Sequence, residues 1–318
     1  MIQELKSSLK RLPPLRRVFE HRDRLYEVRR KCGAYLPGHF YSPVPDFNKV
    51  LQQHDFDDTL RELPGIDMNE SEQFGLLRRL GRFYGELPFP EEQGSATRYY
   101  LDNGFYAYSD GVFLYSMLRY LRPKRYFEIG SGFSSVCALD TRDLFLSGNT
   151  YCRFIDPDVS RLKSLLSGSR TAGNVEIVNK RLQEVPASDF EQLEAGDILF
   201  IDSSHVLKTG SDVHYYMFSI FPRLQPGVYV HIHDVFYPFE YPKGWLRAGR
   251  AWNEVYAVRA MLTDCPTFKI VLFNTYIQKK HRDWFSKYMP LCLRSRKEIP
   301  PGSIWLKKTH WMNHDQDS

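Results

Sequence analysis

Arg125-Tyr126-Phe127-Glu128-Ile129-Gly130-Ser131-Gly132-Phe133-Ser134-Ser135 is the stretch from which the rest of this 318-residue chain can be read. Five β-prone residues pass through two glycines one residue apart and enter Val136-Cys137-Ala138-Leu139, which reads as a helix. The pattern predicts a strand, a tight turn and a helix N-terminus. Glycine at 130 and 132 permits a positive φ and a close approach without a Cβ, and the first helical N–H groups point outward, unpaired. Such a turn suits a small-molecule cofactor, although a purely structural βα turn has the same pattern.

The chemistry of the turn narrows the choice of cofactor. A diphosphate would be repelled by a carboxylate at Glu128, and the third glycine of the dinucleotide fingerprint is replaced by Ser135. S-adenosylmethionine lacks phosphate. Its ammonium and sulfonium tolerate a nearby carboxylate, its own carboxylate suits a helix N-terminus, and its ribose hydroxyls suit an acidic partner on the next strand.

Alternating strands and helices continue beyond the turn. A helix over 134 to 146 is followed by a strand ending Phe154-Ile155-Asp156, a helix over Val159 to Leu166, and a strand over Val175 to Val178. A fourth strand closes on Ile201-Asp202-Ser203-Ser204-His205. Helix 211 to 221 then leads through Pro226-Gly227 to a fifth strand, Val228-Tyr229-Val230-His231-Ile232-His233-Asp234. This order predicts a parallel sheet with right-handed crossovers, in which ligands gather at the carboxyl ends of the strands. Glu128, Asp156, Asp202 and Asp234 all fall at such ends. Asp156 follows Gly132 by 24 positions, close to the spacing that puts a carboxylate on a ribose; capping of the next helix is its structural alternative.

Before the first strand, Asp110 to Leu121 reads as an apolar helix. Residues 1 to 110 form a mainly helical cap or lid, 111 to 308 the cofactor-binding domain, and 309 to 318 a disordered tail. Residues 1 to 31 carry ten Lys/Arg against four Asp/Glu, a net +6 that leaves −1 for the remainder of a chain of net +5. A near-neutral body argues against a nucleic-acid partner. The basic N-terminal pattern suits a solvated helix more than a membrane-surface anchor. Five cysteines with no CxxC pair point to a reducing, cytoplasmic setting, with no apolar run of membrane-spanning length.

With these motifs in view, the chain resembles the class I S-adenosylmethionine-dependent methyltransferases over roughly residues 100 to 308. The matching segments are Glu128 to Ser135, Asp156, Asp202 and Pro226-Gly227. Ile201-Asp-Ser-Ser-His205, His231-Ile-His-Asp-Val-Phe-Tyr-Pro238 and Trp252-Asn-Glu-Val-Tyr256 look like a bacterial branch of O-methyltransferases acting on sugars and other small molecules. The resemblance implies a Rossmann-like α/β fold: a seven-stranded, mostly parallel sheet with helices on both faces and a closing antiparallel hairpin from Phe268 to Tyr276 and Ser303 to Lys307. It also implies that Glu128, Gly130, Ser131, Gly132, Ser134 and Ser135 surround the methionine moiety. Asp156 would take the ribose, Gln183 is a candidate for the adenine, and Asp202 completes the cofactor side.

Methyl transfer to a hydroxyl needs an aligned nucleophile and a proton acceptor. His233 and His205 are the candidate bases, with Asp234 beside them. His231, deeper in its strand, reads as a hydrogen-bonded core residue. Some members of the superfamily bind magnesium at the positions of Asp202 and Asp234, but Val235 stands where their third oxygen ligand is expected. The aromatic loop from Val235 to Trp252 suits the wall of an acceptor pocket. A nucleotide-dependent oxidoreductase and a non-catalytic scaffold are the alternative functions.

Overall fold

The computed structural model describes residues 20–22, 24, 26, 33–54, 56, 59–167, 173–295 and 300–309. The basic pattern of the first 31 residues and the expected disordered tail lie largely outside them. Contacts divide the chain into two compact units, Met1–Phe56 with Lys243–Ala251, and Asp57–Pro242 with Trp252–Ser318.

The larger unit holds a seven-stranded sheet of order β3-β2-β1-β4-β5-β7-β6. Its strands are β1 (Arg125–Ile129), β2 (Tyr151–Ile155), β3 (Val175–Val178), β4 (Ile198–Ile201), β5 (Tyr229–His233), β6 (Phe268–Phe273) and β7 (Ser303–Lys308). The first five are parallel, and β7 runs antiparallel to both β5 and β6. This is a Rossmann-like α/β fold. The sixth strand stops at Phe273, short of the expected Tyr276, because Asn274 begins a helix (Asn274–Lys280) and a second helix follows (Arg282–Tyr288). Strands β6 and β7 are therefore an antiparallel pair joined by helices rather than by a tight hairpin.

Strand alternation sorts the core into two layers. Tyr126, Phe154, Phe200 and Trp305 face the helices Ser109–Leu121 (α3) and Phe133–Phe145 (α4), all four fully buried, each contributing about 1.5–3 kcal/mol. On the opposite face Phe127 meets Phe190 of the 3-10 turn Ala187–Gln192. Apolar on nearly every side, α3 lies inside the core.

A preceding helix, α2 (Glu70–Leu80), closes the β6 edge. The Asn69 side chain donates to Ile270 O at 2.9 Å, and Gln73 Oε1 accepts from Phe273 N–H at 2.7 Å. An open edge is an aggregation hazard, and these two amides cover it. The helix Glu70–Leu80 thus shares a unit with the sheet.

In the smaller unit, helix α1 (Phe47–Gln53) is capped by Asp46, whose carboxylate accepts from Asn48 and Lys49 N–H, and it packs with a short helix, Lys243–Arg247. Tyr35, His39, Phe40 and Tyr41 form an exposed stack beside it. Among the described residues no helix is long and apolar enough to cross a membrane.

The glycine turn is locked by the adjacent strand. Gly130 has φ +85°, and a Cβ there would lie 2.0 Å from the carbonyl oxygen of Asp202, a backbone atom. Gly130→Ala is expected to cost about 3 kcal/mol or more through overpacking and a positive φ, and to abolish S-adenosylmethionine binding. Chemical denaturation and calorimetric titration measure both losses.

Candidate active site

Glu128 lies inside the fold. Its Oε1 accepts from Ser134 Oγ at 2.6 Å and Ser135 Oγ at 2.9 Å, and its Oε2 from Tyr126 at 2.9 Å. Burial pushes its carboxyl up to about 8, against those three hydrogen bonds. Burial thus weakens the charge repulsion of phosphate expected of Glu128. Glu128, Ser134 and Ser135 instead tie β1 to the first turn of α4, and Ser135 Oγ also accepts from Gly132 N–H.

The open face of the turn consists of Gly130, Ser131 and Asp156. Ser131 Oγ donates to Asp156 Oδ2 at 3.0 Å, and Asp156 Oδ1 accepts from Asp158 N–H. Each carboxylate oxygen retains a lone pair that a ribose diol can use. Phe105 and Arg161 roof the turn: the guanidinium lies 3.9 Å from the Phe105 ring centroid, Phe105 stacks on Phe133, and Arg161 Cδ lies 3.2 Å from where a Gly132 Cβ would stand. Sequence reading missed both residues, because only the tertiary fold brings position 105 to the turn. Gln183, the adenine candidate, donates to Gly210 O at 2.7 Å.

The second half of the site stands at the ends of β4 and β5. His205 Nε2 lies 3.4 Å from both Asp202 Oδ1 and Asp234 Oδ2, and His233 Nε2 lies 3.4 Å from Asp234 Oδ1. The Asp202 side chain is 35% exposed, Asp234 12%, and the two imidazoles 6% and 5%, so the carboxylates form the mouth and the rings the floor. His205 and Asp234 have φ of +60° and +57°. Left-handed conformations of this kind cost about 1–3 kcal/mol each and gather at functional sites.

Charge is tightly coupled across this cluster. Against the cost of burial, His233 and then His205 hold the Asp202 carboxyl down to about 2. Burial disfavours the His205 cation, but Glu254, Asp202 and Asp234 raise it well above the ordinary imidazole value. His233 is raised less emphatically, by Asp234, Asp202 and Asp110 against burial. Asp110, on α3, is itself pushed up by burial to about 6 and accepts from Ser303 Oγ, Asn274 Nδ2 and Gly302 N–H. Its role had no signal in sequence beyond an acidic residue in an apolar helix.

His231 is stacked between Phe200, at 4.1 Å, and Trp305, at 4.6 Å, and neither ring nitrogen has a protein hydrogen-bond partner. It is a core residue held by stacking rather than by the expected hydrogen bonds, and burial lowers its pKa well below the usual value. Phe236, Tyr237, Phe239 and Tyr241 of the aromatic loop are buried as core, whereas Trp252 packs on His205 at 4.4 Å. Among the described residues no three His, Cys, Asp or Glu side chains form a group able to hold a metal ion. Asp202 and Asp234, the expected ligands, have an imidazole between them and Val235 in place of a third oxygen donor.

Parts of the chain are similar to known proteins. The profile of a family described as "Methyltransferase domain" matches residues 127–235, from β1 to just past β5. An uncharacterized protein of Archaeoglobus fulgidus is 34% identical over 173 residues, covering 52% of this chain and 77% of the relative. Among solved structures, the O-methyltransferase TomG of Streptomyces achromogenes, involved in tomaymycin synthesis and bound to S-adenosylmethionine, is 16% identical; 74% of this chain and 89% of that one are covered, with a TM-score of 0.43. An O-methyltransferase of Bacillus cereus in complex with S-adenosylhomocysteine is 13% identical, with coverage of 82% and 96% and a TM-score of 0.43. The chain belongs to the family of the archaeal protein, and its residues 127–235, from β1 to just past β5, match the methyltransferase domain.

The buried Glu128 makes a pH signature. Its folded pKa, about 8, exceeds the ordinary 4.5, so the folded state keeps a proton that the unfolded chain releases across that window, and stability from this group is lost as pH rises. The thermal midpoint of Glu128→Gln relative to wild type should therefore rise from about pH 5 to about pH 8, a difference worth a few kcal/mol at most. Calorimetry across that range checks it.

Proposed function

We propose that the protein methylates an oxygen of a small hydroxylated molecule, of the saccharide or secondary-metabolite class, with His233 as the base. The supporting observation is the double role of Asp202. Its carbonyl presses on the glycine turn, and its carboxylate stands beside the imidazole cluster, so donor and acceptor sites share one residue.

In this reading Gly130, Ser131 and Gly132 receive the methionine end of the cofactor, Asp156 its ribose, and Gln183 the neighbourhood of its adenine. When bound, S-adenosylmethionine supplies an electrophilic methyl group on a sulfonium. His233 Nε2 accepts the acceptor's hydroxyl proton, and Asp234 beside it stabilises the resulting imidazolium. His205, held as a cation between Asp202 and Asp234, favours the developing oxyanion. The low exposure of both rings limits water at the reacting atoms.

Transfer of labelled methyl from S-adenosylmethionine to a panel of methyl glycosides and phenols tests the acceptor class. Asp156→Ala should abolish calorimetric binding of the donor, and chelator should leave binding and turnover unchanged; loss on chelation would transfer the activating role to a metal. His233→Asn is expected to lower kcat by about 10²–10⁴. The base works unprotonated and its pKa is raised, so kcat/KM should climb with pH through a midpoint above 6.5, and the variant should lose that limb. Near wild-type turnover in folded His233→Asn would remove this assignment.

A further inference from the structure

Trp252-Asn253-Glu254 stands at the start of the helix Glu254–Leu262. Its three residues converge on His205. Glu254, fully buried, has Oε2 2.7 Å from His205 Nδ1, while its Oε1 accepts from Ser203 Oγ at 2.7 Å and Tyr216 OH at 2.6 Å. Three donors around one carboxyl group leave it the acceptor in each contact, so His205 Nδ1 carries the proton. Asn253 and Glu254 N–H both donate to His205 O, at 3.1 and 3.2 Å. The Asn253 side chain accepts from Leu207 N–H and donates to Leu207 O. Trp252 covers the ring face. Tyr216 opens a π-helical turn, Tyr216–Ile220, an irregularity often found at functional sites.

We infer that Glu254 is a positioning residue for methyl transfer: with Trp252 and Asn253 it fixes the His205 ring and the proton on Nδ1, presenting Nε2 between Asp202 and Asp234, where the acceptor oxygen arrives. A ring with the same backbone but no Nδ1 acceptor would be free to rotate. The left-handed backbone of His205 is held by the same motif through the two bonds to its carbonyl. This assignment rests on the proposed methyl transfer for its purpose, but its geometry can be tested without any acceptor.

The test is nuclear magnetic resonance of the ¹⁵N-histidine-labelled full chain, observing the His205 Nδ1–H bonded to a carboxylate. Wild type should show a protected, downfield N–H. Glu254→Gln should lose it, with S-adenosylmethionine affinity unchanged by calorimetry, while Tyr216→Phe, which removes a different partner of the same carboxylate, should retain it. Persistence of the resonance in Glu254→Gln, or its equal loss in Tyr216→Phe, would overturn the inference. Should Glu254→Gln fail to fold, Glu254→Asp serves: a shortened carboxylate must move or broaden the resonance, and an unmoved signal overturns the proposal. With a turning-over acceptor, Glu254→Gln should lower kcat by roughly 10–100-fold, and Glu254→Gln/His205→Asn should be no worse than His205→Asn alone. A panel in which nothing is methylated would sink the acceptor reading while leaving the resonance result to stand.

Discussion

Gly130 and the Asp202 carbonyl occupy space that no side chain can share. This close approach fixes the separation of β1 and β4 at their carboxyl ends, and Asp202 N–H completes it by donating to Ile129 O at 2.8 Å. Everything chemical in the molecule is measured from that junction. On one side Ser131 and Asp156 follow from the turn, and on the other Asp202 faces His205, which reaches Asp234. Parallel sheets gather ligands where such strand ends diverge, and here the divergence is set by a missing methyl group.

The acceptor side concentrates charge in a dry place. Isolated, any of these buried groups would carry a large desolvation cost. Together, Asp202, Asp234, Glu254 and Asp110 surround two imidazoles, and hydrogen bonds from Ser203, Tyr216, Ser303 and Asn274 satisfy the outer carboxylate oxygens. Glu128 follows the other physical route: with no cation beside it, burial raises its carboxyl against the pull of three hydroxyl donors. Two acidic residues at neighbouring strand ends thus shift in opposite directions, Asp202 with imidazole neighbours and Glu128 without.

That contrast explains what the sequence could convey. Strand order, the glycine turn and the positions of Asp156, Asp202, His205, His233 and Asp234 follow from period, turn chemistry and motif spacing, all local properties. The side-chain direction of Glu128 is local as well, since alternation along β1 puts it with Tyr126 on the α3 side, but its protonation depends on contacts with Ser134 and Ser135 that spacing alone does not reveal. Phe105, Arg161 and Asp110 join the site only through tertiary packing. The end of β6 was misread because Asn274-Thr275-Tyr276 has strand-like neighbours, while in the fold Asn274 turns inward to Asp110 and Ser303.

Strand β7 reaches back across the whole chain. Running antiparallel, it delivers Ser303 to the end of β5 and Gly302 N–H to Asp110, 192 residues earlier. The glycine-turn side of the site, from β1 to β4, is assembled from segments near one another in sequence, whereas the histidine side includes contacts from this late strand. The two sides of the site therefore differ in sequence range: one is assembled locally, and the other depends on contacts that span 192 residues.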